Sequence, residues 1–198
     1  VDGVLYVVAG RVIHRAEAGG TSAVIGGMPS DGFVSMARNS RGTGPQICIV
    51  CDGIVKIIEN GVLADVTDTD LVPPNSVCCI DRYFIFGCSN GAMFASDIDS
   101  GFDIDGLDTA TAESSPDSLL RVIDRGRDLI VFGPKSFEVW VDTAADAFPF
   151  SRQHTNSIGA LSAGAITKAT ILQGSNVVDT IVWAATNEQG AYAKVCML

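Results

Sequence analysis

The sequence predicts an all-β chain of β-propeller type, and three observations point there. Almost no segment carries a helical period; short runs of Val, Ile, Phe, Tyr and Trp alternate with Gly, Asp, Asn and Pro clusters, the pattern of many short strands. A weak internal repeat pairs VSMARN, QICIVCDG and IVKIIENG, then SVCCID, YFIFGCSNG and AMFASDI, then LLRVID, DLIVFGPKS and FEVWVDT, then AGAITKAT, TIVWAATNEQG and AYAKVCM. The first strands of these units start near residues 34, 76, 119 and 163, a spacing of 42 to 44 residues, and a four-stranded propeller blade takes roughly 40–45.

Each element follows from local alternation and its turn signals. The expected strands are Leu5–Ala9, Val12–Ala16, Ala23–Ile25, Phe33–Ala37, Ile47–Cys51, Ile54–Ile58 and Leu63–Val66. Next come Ser76–Ile80, Tyr83–Gly87, Ala92–Ser96, Leu119–Ile123, Leu129–Phe132 and Phe137–Val141. Ala165–Ala169, Thr180–Ala185 and Ala191–Cys196 complete the series. Asp52-Gly53, Asn60-Gly61, Asn90-Gly91, Arg125-Gly126 and Gln189-Gly190 mark the turns between them, since these pairs tolerate the positive φ that tight hairpins need. The second strand of each unit is apolar on both faces, which suits a strand packed between neighbouring sheets. The expected organisation is one β-propeller-like domain over residues 1–198, in units 1–32, 33–75, 76–118, 119–162 and 163–198. That amounts to about four and a half blades, so a terminal strand completes the first blade or further blades lie outside the chain. The lack of an initiating Met favours a segment of a longer protein. A β-sandwich of similar strand count is the alternative fold.

Composition narrows the function classes. Apolar residues make up 47% and charged residues 18%, a globular balance. No apolar run approaches the roughly 18 residues of a membrane span, and no signal segment is present, so a soluble chain with no membrane partner is expected. The net charge is −10. Residues 1–70 hold 5 basic and 8 acidic side chains, residues 71–118 one and 8, and residues 119–198 seven of each. Such an acidic chain repels phosphate backbones, and sequence-independent grip on DNA is not expected of it. Cys48 and Cys51 form a CxxC without a second pair or a nearby His. On a strand, positions i and i+3 point to opposite faces and chelate poorly, so buried reduced thiols are expected rather than a zinc site.

The densest candidate surface is the acidic, Gly-punctuated stretch holding Asp97, Asp99, Asp103, Asp105 and Asp108. Carboxylates at this spacing suit calcium, but placing Gly106 at the loop's glycine puts Gly101 first and Ala112 last, where acidic ligands belong. It is therefore expected to be a connecting loop and a contact surface, with no metal and no cofactor. Arg121, Arg125 and Arg127 cluster around a turn beside Asp124 and Asp128, as a compensated hairpin tip or an anchor for a protein contact. His14 and His154 lie in separate units without a nucleophile motif, and GPKS at residues 133–136 lacks the strand-to-helix context of a phosphate loop. Trp140 and Trp183 are expected to pack between blades. No catalytic constellation emerges, and the chain is not expected to be an enzyme.

Over Ser96–Arg152 the wording SDIDSGFD, the run LDTATAESSPDSLLRV, LIVFG followed by FEVW, and AFPFSR resemble the packaged DNA stabilisation proteins of short-tailed phages, tail accessory or nozzle-type proteins. VLYVVAGRVIHR and the stretch from Val34 to Asp52 are similar to that family's early blades. The resemblance implies a structural tail component of the virion, assembled in the host cytoplasm. It implies a homo-oligomeric ring, a hexamer, beneath the portal and adaptor ring and beside other tail proteins. There it prolongs the DNA channel and helps retain the genome, with DNA passing by without specific binding, and Asp97, Asp99, Asp103, Asp105, Asp108, Arg121, Arg125 and Arg127 become a contact or channel surface. A carbohydrate-binding or carbohydrate-active propeller is the alternative.

Overall fold

Five small antiparallel sheets, each built from consecutive strands, stand as the blades of a β-propeller. The computed structural model describes residues 4–17, 19–112, 118–145, 147–173, 176–186 and 194–198. Blade 1 holds β1 (Tyr6–Ala9), β2 (Val12–Ala16) and β3 (Ser22–Gly27). Blade 2 holds β4 (Ser35–Arg38), β5 (Gln46–Cys51), β6 (Ile54–Glu59) and β7 (Val62–Asp65). Blade 3 holds β8 (Ser76–Ile80), β9 (Tyr83–Gly87), β10 (Ala92–Asp97) and β11 (Ser100–Thr111). Blade 4 holds β12 (Arg121–Arg125), β13 (Asp128–Phe132), β14 (Phe137–Asp142) and β15 (Phe150–Asn156). Blade 5 holds β16 (Gly159–Ala160), β17 (Ile166–Gln173), β18 (Asn176–Thr186) and β19 (Lys194–Met197).

In blade 5, Ala185 pairs with both Ala160 and Lys194, and Trp183 with both Ile166 and Cys196. A strand has two edges, so β16 and β17 share the edge opposite β19. They form one inner strand interrupted by a 3-10 turn at Ala163–Ala165. The expected Gln189-Gly190 turn and the part of the last expected strand at 191–193 lie outside the described residues.

The period of two along each middle strand assigns side chains to one neighbour or the other. On β5, Ile47, Ile49 and Cys51 pack with Ile13 and Met28 towards blade 1, whereas Cys48 and Val50 pack with Phe84 and Phe86 towards blade 3. On β13, Leu129 and Val131 join Ile85 and Met93 of blade 3, whereas Ile130 and Phe132 join Ile181 and Trp183 of blade 5. Four hydrophobic clusters thus join successive blades, and among the described residues none joins blade 5 to blade 1. Cys48 and Cys51 lie in different clusters, and all six cysteines carry free thiols. Trp140 sits between blades 3 and 4 and Trp183 between blades 4 and 5, where it meets Phe132 and Phe137 edge-on.

Three strands differ from expectation. β15 has a single apolar residue at its start, and β16 is two residues long, so neither carries a readable alternation. The acidic stretch expected as a connecting loop is instead β11, the outermost strand of blade 3. Its pairing with β10 jumps twice. One step from Ser96 to Asp97 spans Ile104 to Ser100, and two steps from Phe94 to Ser96 span Thr109 to Ile104. The extra residues bulge out of the ladder, and that is where Gly and Asp replace the usual strand formers.

Candidate functional site

The acidic residues hold the bulges of β11 in shape. Asp103 accepts a 2.6 Å hydrogen bond from the Ser100 hydroxyl, and Asp105 accepts one of 2.8 Å from Leu107 N. Asp99, in the β10–β11 turn at φ +64°, pairs with Arg82, and its carbonyl accepts from Arg41 of blade 2 at 3.1 Å. Asp97 ends β10 and is exposed. Burial raises the Asp108 carboxyl above its ordinary pKa, and the like charges of Asp105 and Asp97 add to the shift. A further carboxylate escaped the sequence reading: Asp68, on the connection into blade 3, accepts from Ile104 N at 3.2 Å. Asp70 lies against Gly106, where an added Cβ would come within 3.2 Å of it. The result is an acidic outer rim on blade 3, on the strand farthest from the inner strand β8. Among the described residues no group of three His, Cys, Asp or Glu could hold a metal ion.

The three arginines separate. Arg125 donates to Asp128 at 3.0 Å across the β12–β13 turn. Arg127 reaches Asp142 at 3.1 Å in its own blade and Asp81 at 3.0 Å in blade 3, and the Asp81 hydrogen bond raises its pKa. Asp124 pairs instead with Lys168 of blade 5. Arg121 turns inward: its Nη1 donates to the carbonyls of Ala163 and Ile166 at 3.2 and 2.5 Å, and its guanidinium lies 5.0 Å from the Phe33 ring centroid. Burial lowers its pKa.

Arg121 thereby joins a pattern that becomes visible only in three dimensions. Each of β4, β8 and β12 opens with a side chain that reaches the inner strand of the next blade. The Ser35 hydroxyl donates to Val77 O and accepts from Val77 N, both at 3.0 Å. The Ser76 hydroxyl accepts from Val122 N at 3.0 Å, and Arg121 caps Ile166 O. An inner strand has one unpaired edge, whose buried peptide groups need partners. These side chains supply them and set the register between blades.

A protein-family model described as "Bacteriophage P22 Gp10, beta-propeller" matches residues 1–195. Among curated proteins, none matches the chain in sequence. Among solved structures, a chain of the mitotic checkpoint complex is similar at 16% identity and a TM-score of 0.57, over 96% of this chain and 61% of that one. A chain from the complex of BBS1N with ARL6DN is similar at 10% identity and a TM-score of 0.57, over 97% and 63%. The chain spans about three fifths of the length of these structures, and the likeness is one of fold.

Proposed function

The chain belongs to the phage-stabilisation family represented by bacteriophage P22 Gp10, and we propose that it extends the portal channel of a short-tailed particle and helps to retain the packaged genome. The family match over residues 1–195 carries this reading. It makes the chain a phage structural protein, a virion component with a part in DNA stabilisation. The proposed assembly is a homo-oligomeric ring, a hexamer, seated on the portal or adaptor ring next to other tail proteins and built in the host cytoplasm. The net charge of −10 supports a wall past which DNA slides, because carboxylates repel phosphates and leave no counterions to release.

The rim position of Asp97, Asp103, Asp105 and Asp108 bears on where DNA would run. An outermost strand cannot line the propeller's own axis, so the proposed DNA path lies outside each propeller, through the centre of the ring. Blade 3 then faces either that path or the adjoining subunit.

The test is deletion of the encoding gene in the producing phage. The expected particles package full-length DNA but lose it before or during purification, and complementation with the gene restores full heads. Purified particles that keep their DNA without this protein would sink the reading.

A further inference from the structure

The inner strands of blades 2 to 5 converge on a cavity of about 390 Å³, lined among others by Arg38, Arg121, Asp124 and Lys168. Three of those four charges are positive, in a chain whose net charge is −10. Lys168 and Asp124 neutralise one another at 2.5 Å. Arg38 and Arg121 have no carboxylate in ion-pair range among the described residues, so the four charged side chains leave a net excess of two positive charges on the cavity wall. Arg121 is half-buried, its Nη1 spent on backbone carbonyls and its buried Nε without a partner. The partly desolvated Arg121 guanidinium recruits counter-charge, and the exposed Arg38 offers the planar N–H fork that matches the geometry of phosphate oxygens.

We propose that this axial cavity binds a doubly charged tetrahedral oxyanion of the phosphate type, held by Arg38 and Arg121 with Lys168 and Asp124 at its margin. Two positive charges match the roughly −1.5 to −2 of a phosphate monoester near neutral pH. The wall comes from four blades, so the bound anion would tie their inner strands together. The inference concerns the propeller's axis and is independent of any role in the particle. Its phosphate could be free or part of a nucleic-acid strand, and the experiment separates the two.

The test is titration of the whole chain with inorganic phosphate against chloride at constant ionic strength, followed by thermal unfolding and calorimetry. Binding is expected to raise the melting temperature in a saturable way with phosphate concentration. Arg38→Gln, at an exposed position that should leave folding intact, is expected to weaken phosphate binding by about tenfold or more, since a charge-assisted hydrogen bond is lost. Asp124→Asn is expected to tighten it, provided its melting temperature in chloride stays near wild type. A short single-stranded oligonucleotide that competes with phosphate at the same stoichiometry would assign the site to a nucleic-acid phosphate. One that does not compete assigns it to a free anion. Absence of a phosphate-specific shift, or binding unchanged in Arg38→Gln, would overturn the proposal.

Discussion

Ser76 is fully buried, and its hydroxyl is engaged on both sides: it accepts from Val122 N at 3.0 Å and donates to Asn75 Oδ1 at 2.9 Å. Replacing it with Ala leaves the Val122 amide buried without a partner, which costs about 1–3 kcal/mol. Urea unfolding of Ser76→Ala should show that loss, and a change below about 0.5 kcal/mol, the range of a neutral surface substitution, would refute the clip. The cysteines give a pH dependence. Burial pushes the Cys79 and Cys88 thiols up to about 11 from their ordinary value of 9.0, and that of Cys78 well above it. Below about pH 9 both folded and unfolded states hold these protons, and their burial carries no ionisation cost. Between about pH 9 and 11 the unfolded chain releases protons that the fold retains, so stability falls as pH rises through that window. Denaturant midpoints measured from pH 8 to 11 should decline there, and replacing Cys79 and Cys88 with Ala should flatten the decline relative to the parent. The clip was not legible in the sequence. Ser35 and Ser76 share a hydroxyl that Arg121 lacks, the three are unevenly spaced, and only the fold shows that they occupy one position.

β16 shows how an element too short to carry a pattern is placed by its surroundings. Ala160 N donates to Gly133 O at 3.0 Å, docking the start of blade 5 on the turn after β13. A Cβ at Gly159 would lie 2.1 Å from the Pro134 carbonyl carbon and 2.3 Å from Lys135 N. Those are backbone atoms and cannot swing aside, so Gly159→Ala is expected to cost about 1–3 kcal/mol as overpacking. Chemical denaturation would check this, and a stability within error of the parent would show that β16 does not sit against that turn. The middle strands β5, β9 and β13 were readable as short continuous apolar runs, because each of their faces meets a different apolar cluster. β11 was half readable. Phe102 and Ile104 alternate with Asp103 and Asp105 as a strand should, but the carboxylates and glycines that serve the bulges give the same signal as a loop. The acidic rim could therefore be named residue by residue, while its place at the outer edge of blade 3 depended on a pairing that the sequence does not encode locally.

Taken whole, the molecule separates its charge from its contacts. Five carboxylates, Asp97, Asp99, Asp103, Asp105 and Asp108, gather on the blade 3 rim, whereas cations from three blades meet at the axis around Arg38, Arg121 and Lys168. Its apolar interior is divided as well: four clusters each belong to two successive blades. Stability of that kind is a sum of blade terms and nearest-neighbour terms rather than the property of one shared core. The outward faces of the end blades show the same logic in reverse, with Val24 and Leu5 exposed on blade 1 and Val195 and Met197 on blade 5. Among the described residues, blades 2, 3 and 4 are each clamped from two sides, blades 1 and 5 from one. Mechanically, the five blades are coupled in series. A load carried from blade 1 to blade 5 passes through every interface in turn, so the weakest of the four sets what these five blades can bear, and yielding begins there.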